Sequence, residues 1–165
     1  MTIQTIPTKY NNHYFRSRLE ARWAVYFDSI GLIWRYEHEG FKFDDGTMYL
    51  PDFWFPQVEM WGEVKPKDLT KKETDKINNL VLSTKKPCIL LIDIPWVRSY
   101  DCVWLENGRI HKDWNVFISM YHNYVREEGR FFACCEESMF DDLMTWPEEA
   151  EAVRLALSER FENKI

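Results

Sequence analysis

The stretch from Tyr49 to Pro66, YLPDFWFPQVEMWGEVKP, constrains this chain more than any other. It places an acid, Asp52, directly after a proline, and then a Glu-x-Lys triplet, Glu63-Val64-Lys65. Read as strands, its side chains alternate between faces, so Trp61, Glu63 and Lys65 point one way and Gly62 and Val64 the other. An acid and an amine thus share a face, and a second acid enters from the preceding strand. Two carboxylates in that arrangement can hold a divalent cation, which polarises a phosphate and lowers the pKa of a bound water. A neighbouring lysine can orient or deprotonate that water, or neutralise charge in the transition state. The plainer alternative is a hairpin with a surface acid and a surface Glu/Lys pair.

The flanking chain supplies context. A helix is expected over roughly Tyr14 to Ser29, with Leu19, Trp23, Tyr26, Phe27 and Ile30 forming one apolar stripe and Gly31 as its stop. Glu20 lies at the edge of that stripe, a half-buried carboxylate in need of a partner. Ile33 to His38 alternates Trp34, Tyr36 and His38 against Arg35, Glu37 and Glu39, as a strand does. Phe41–Phe43 and Met48–Leu50 flank Asp44-Asp45-Gly46-Thr47, an Asp-Gly hairpin turn that delivers Pro51-Asp52. A second hairpin, through Pro56-Gln57, delivers the Glu63–Lys65 strand, which Pro66 ends. Thr70-x-x-Glu73 is a capping box for a helix over roughly Lys71 to Ser83, with Ile77, Leu80 and Val81 inward. Cys88 to Ile94 is a continuous apolar run of the kind found in buried central strands.

Pro51-Asp52 followed by Glu63-Val64-Lys65 resembles the core signature of the PD-(D/E)XK nuclease superfamily, and Phe15-Arg16-Ser17-Arg18-Leu19-Glu20 is similar to the helix opening in its transposon-type and phage-type branches. The resemblance covers roughly residues 14 to 95, in the order helix, three strands, helix, strand. It implies an α/β, restriction-endonuclease-like core with a central mixed β-sheet flanked by helices. It also implies a Mg²⁺- or Mn²⁺-dependent endonuclease that hydrolyses DNA phosphodiester bonds. Asp52, Glu63 and the Val64 carbonyl would be metal ligands, Glu20 a further acid at the metal, and Lys65 the catalytic amine. Ligands that are all oxygen suit magnesium or manganese better than zinc. Ser17-x-x-Glu20 also reads as a capping box, so two roles compete for Glu20. The resemblance further suggests a bacterial or phage origin. Two other functions stay open: a structure-specific resolvase or nickase, which would favour a homodimer, and a non-catalytic nucleic-acid- or protein-binding module in phage–host interaction.

Charge bears on the DNA partner. The chain carries a formal charge of −6, which by itself argues against nucleic acid. The distribution is uneven. Between Lys65 and Lys86, seven bases (Lys65, Lys67, Lys71, Lys72, Lys76, Lys85, Lys86) face three acids (Asp68, Glu73, Asp75). From Glu127 onward, eleven acids oppose four bases. The segment beside the motif is therefore basic, as a phosphate-facing surface should be. Lys67, Lys72 and Lys76 are the candidate backbone contacts, with Lys72, Lys76 and Asn79 sharing a helix face; a solvated lysine face is the alternative.

At 165 residues the chain is expected to form one domain, its core (14–95) followed by a hairpin-and-helix extension (96–165). Eight Trp, eight Tyr and eleven Phe predict an aromatic-rich interior. No apolar run is long enough to span a membrane, and the N-terminus lacks a signal-peptide pattern, so a cytoplasmic protein is expected. Cys88, Cys102, Cys134 and Cys135 form no C-x-x-C pair and read as buried thiols. His111 and His122 are irregularly spaced from them, which argues against a zinc site. Tyr100–Leu105 and Arg109 onward flank a strong Asn107-Gly108 turn. Phe131–Cys135 reads as a strand, and Thr145-x-Pro147-Glu148 caps a last helix with Ala150, Val153, Leu157 and Phe161 as its apolar face.

Overall fold

A computed structural model describes residues 5–96, 100–117, 132–133 and 147–161. The chain opens with a short hairpin, Thr8–Tyr10 (β1) against His13–Phe15 (β2), and only then enters helix Arg18–Ser29 (α1). The expected helix start at Tyr14 is therefore corrected to Arg18. Asn11 and Asn12 both have positive φ (45° and 62°), the backbone of a two-residue hairpin turn, and this turn holds Tyr14 and Phe15 extended. Ser17 ends the hairpin and caps the helix by accepting the Glu20 N–H at 3.2 Å. At the other end, Gly31 (φ +70°) allows its own N–H to reach Asp28 and the Leu32 N–H to reach the Phe27 carbonyl at 2.9 Å, a Schellman closure.

Strands Arg35–Tyr36 (β3), Phe53–Phe55 (β6), Met60–Lys65 (β7), Cys88–Ile92 (β8), Tyr100–Glu106 (β9), Arg109–Phe117 (β10) and Phe132–Ala133 (β11) form one sheet in the order β11-β10-β9-β8-β7-β6-β3. β7 and β8 run parallel, joined through helix Lys71–Thr84 (α2); the other neighbours are antiparallel, so the sheet is mixed. Phe41–Lys42 (β4) and Met48–Tyr49 (β5) make a separate ribbon around the expected Asp44–Thr47 turn. The strand expected over Ile33–His38 shrinks to β3. Glu37 takes φ 47° and turns its N–H onto the Asp52 carbonyl at 2.9 Å, so the alternation stops before His38, which is exposed. β8 likewise ends at Ile92, and Ile94 is exposed.

One face of the sheet packs Phe53, Phe55, Val64, Ile89 and Leu91 against α1. The aromatic interior is here: Phe27 meets Phe53 and Phe55 edge-on, with ring centroids 5.2 and 4.9 Å apart. The opposite face packs Trp61, Cys88, Leu90 and Val103 against Ile77, Leu80 and Val81 of α2. α1 is buried well beyond its expected stripe, at Ala21, Ala24 and Val25 too, because a third helix, Pro147–Ser158 (α3), covers it. The guanidinium of Arg22 donates to the carbonyls of Ala156 and Leu157 across that contact. The inward face of α3 centres on Ala152, Val153 and Ala156; Ala150 is exposed because it lies on a different side of the helix from the two buried alanines. The described residues beyond Pro95 thus continue the same sheet and the same core. Cys88 and Cys102 are buried free thiols, whereas Cys134, Cys135, His122 and the Thr145 cap lie outside the described residues. Among the described residues, no helix is long and apolar enough to cross a membrane.

Candidate active site

β6 is shorter than β7, and the site forms just before β6 begins, beside the end of β7 that β6 leaves unpaired. Asp52 immediately precedes β6, and its Oδ2 accepts the Val64 N–H at 2.8 Å. The acid therefore occupies the edge of β7 that a longer β6 would have filled. A strand residue turns its N–H and C=O toward the same edge, so the Val64 carbonyl also leaves on the Asp52 side. Glu63 and Lys65 point to the α2 face, as alternation predicts, and pair directly: Lys65 Nζ is 2.8 Å from Glu63 Oε1. Glu73, in the first turn of α2, lies 3.6 Å from the same ammonium while its other oxygen closes the expected capping box with Thr70. These groups line an open cleft of about 680 Å³ that also receives Arg16, Glu20, Tyr49 and Lys76.

Asp52 and Glu63 are 3 % and 4 % exposed, an unusual state for two neighbouring acids. Burial, then the charges of Glu63 and Glu20, push the Asp52 carboxyl well above the ordinary range, against the Val64 N–H and Lys65. Glu63 Oε2 and the Tyr49 hydroxyl are buried beside each other without a hydrogen bond of good geometry among the described residues, so their contact with one another is a weak one. Burial and the Glu63 charge hold that phenol well above its usual pKa. For Lys65, burial pulls the pKa down, but Glu63, Asp52 and Glu73 outweigh it and the net direction is up, so the amine is held as ammonium.

Glu20 is buried at the base of α1 with both oxygens engaged. Oε1 accepts the Ser17 hydroxyl at 2.7 Å; Oε2 accepts the Tyr36 hydroxyl at 2.5 Å and the Arg16 N–H at 3.2 Å. Its carboxylate thus belongs to the helix start and, through its charge, to the Asp52 cluster as well. Among the described residues, no group of three or more His, Cys, Asp or Glu side chains is arranged to hold a metal ion. A donor set here would be Asp52, Glu63 Oε2 and the Val64 carbonyl. Three oxygens suit a hard ion that keeps several of its own waters.

Of the candidate phosphate contacts, Lys76 lines the cleft, with its ammonium 5.9 Å from the Tyr49 ring centroid. Lys67 and Lys72 are exposed and stand outside the lining. Four contributors carry no signature of their own: Arg16, Tyr36, Tyr49 and the second oxygen of Glu73. Arg16, Tyr49 and Glu73 each lie within a fragment already notable in the sequence, but not for the contacts they make here. Among known proteins, no family model matches the chain and no curated protein matches it significantly.

Proposed function

We propose that this chain is a divalent-metal-dependent endonuclease that hydrolyses DNA phosphodiester bonds on a restriction-endonuclease-like core. The observation that carries this reading is the buried pair Asp52 and Glu63 at an open cleft, with one Glu63 oxygen on Lys65 and the other, beside the Tyr49 hydroxyl, without a well-formed hydrogen bond among the described residues. Two acids held together out of water, one of them short of a well-formed hydrogen bond, favour a cation between them. Asp52, Glu63 Oε2 and the Val64 carbonyl would hold Mg²⁺ or Mn²⁺. Held there, such an ion would supply Lewis-acid charge at the scissile phosphate and lower the pKa of water.

The remaining work falls to side chains. Lys65, fixed as ammonium by Glu63 and Glu73, donates hydrogen bonds to the attacking water or to a phosphate oxygen where negative charge develops. Its raised pKa favours this role over that of a base. Glu20 adds negative charge behind Asp52. Lys76 meets the sugar–phosphate backbone inside the cleft, with Lys67 and Lys72 outside it.

A cleavage panel of linear duplex, nicked, flap, junction and single-stranded DNA and RNA, each with Mg²⁺ and Mn²⁺, tests the reading. DNA cleavage that needs the metal and falls roughly 10²-fold or more in a folded Lys65→Ala protein is expected. Metal-independent cleavage, or normal cleavage by that variant, overturns it.

A further inference from the structure

The cation at Asp52 in this structure is a side chain. Arg16 Nη2 lies 2.5 Å from Asp52 Oδ1, and its Nε lies 2.7 Å from Glu37 Oε1. The two ends of this contact differ sharply: the Asp52 side chain is 4 % exposed and that of Arg16 is 54 % exposed. Asp52 cannot recover water, whereas the guanidinium can, so parting costs the arginine little if another cation takes its place. The main chain of Arg16 is fixed independently, its N–H donating to the Tyr36 hydroxyl at 3.0 Å and to Glu20. Any movement is therefore confined to the side chain at the mouth of the cleft. Neither acid is held bidentately, and the Tyr36 hydroxyl is the guanidinium's other neighbour, so part of the five-donor fork remains open. With Glu37 counted, acids around the cleft (Glu20, Glu37, Asp52, Glu63, Glu73) outnumber bases (Arg16, Lys65, Lys76). That excess favours a divalent ion over a monovalent one at Asp52.

We propose that Arg16 is an exchangeable counter-cation: it neutralises Asp52 in the free protein, yields that carboxylate to an incoming divalent metal, and turns its guanidinium to a DNA phosphate. Glu37 keeps hold of the Nε edge throughout, so the released fork stays at the cleft. This rests on the endonuclease reading and adds to it a residue that links metal binding to substrate binding. Because one group serves the two events in opposite senses, removing it should shift them in opposite directions.

The test measures Mn²⁺ affinity by electron paramagnetic resonance without DNA. Duplex affinity is measured by fluorescence anisotropy at fixed Mn²⁺ in a Lys65→Ala background, which blocks turnover. Arg16→Ala should bind Mn²⁺ about tenfold more tightly, as expected for removal of a coupled competitor. It should bind duplex about tenfold more weakly, having lost one charge-assisted phosphate contact. Arg16→Gln, which keeps a polar side chain with an N–H donor but is shorter and uncharged, should show the same pair of opposite shifts and serves if the alanine variant fails to fold. Unchanged or weaker Mn²⁺ binding by both variants, in a protein whose parent binds Mn²⁺, overturns the exchange and leaves the endonuclease reading standing. No Mn²⁺ binding by parent or variants overturns both.

Discussion

Asp52 Oδ2 and the Val64 N–H, 2.8 Å apart, join a residue before one strand to the penultimate residue of the next and place a carboxylate where a ladder bond would otherwise run. This bond opposes the burial and the two neighbouring acids that drive Asp52 toward its protonated form. Asp52 therefore binds its proton more tightly in the folded chain than in the unfolded one, where its pKa is about 4. Its contribution to stability is present below that value and is lost as pH rises through the higher folded pKa. Asp52→Asn should abolish cleavage yet raise stability near neutral pH by about 1 kcal/mol, or roughly 2–4 °C in Tm. The gain should vanish as pH approaches about 4. Thermal melts of both proteins across pH check this; a gain that grows on acidification would contradict it.

Glu20→Gln separates the two duties of that residue. The amide can accept from Tyr36 and Arg16 with its oxygen and donate to the Ser17 hydroxyl with its nitrogen, so the helix start should lose at most about 1 kcal/mol. The charge behind Asp52 would be gone. We expect the metal concentration needed for cleavage to rise about tenfold or more, as for other groups that support ligands, with partial rescue by Mn²⁺. Metal titrations beside melting curves decide it. An unaltered metal requirement would leave Glu20 as a helix-start group alone.

Lys76 and Lys72 sit one turn apart on α2, yet only Lys76 lines the cleft. Lys76→Ala should flatten the dependence of log K on log salt by about 0.9, the increment for one phosphate contact. Lys72→Ala should change it less. Equal slopes for the two variants would make Lys76 part of a solvated face.

Gly62 tests how closely the acids are positioned. A Cβ there would lie 2.7 Å from Phe55 Cε2 and 3.3 Å from Phe53 Cβ, on the strand that begins just after Asp52. Gly62→Ala should cost about 1–3 kcal/mol through overpacking. It should also lower cleavage at temperatures where the protein remains folded, because β6 must shift and carry Asp52 with it. Full activity below the melting transition would show that the spacing has slack.

What could be read from the chain alone was local or periodic. The Glu63/Lys65 alternation, the Thr70–Glu73 cap and the Asn107-Gly108 turn each depend on residues a few positions apart, and each lies where expected. The N-terminal hairpin was missed because Tyr14 and Phe15 continue the apolar spacing of α1, while two asparagines with positive φ overrule it. Arg16 was missed for a different reason. Its partners, Glu37 and Asp52, are brought to it by tertiary structure, and nothing in its own neighbourhood marks it as paired with a buried acid. Tyr36 and Tyr49 read as ordinary strand aromatics; only their hydroxyls, one on Glu20 and one beside Glu63, give them a place in the cleft.

The parallel pairing of β7 with β8 also governs the order in which the cleft can come into being. Glu63 faces Leu90 across that ladder, and parallel neighbours cannot be joined by a tight turn, so α2 must be laid down between them. Arg16, Glu20, Asp52, Glu63 and Lys65 are all synthesised before α2. A nascent chain that has emerged only as far as Pro66 carries these charged groups but has one edge of β7 bare. During synthesis the acids therefore exist as sequence well before they exist as a buried pair. The residue whose arrival changes that is an apolar one, on β8.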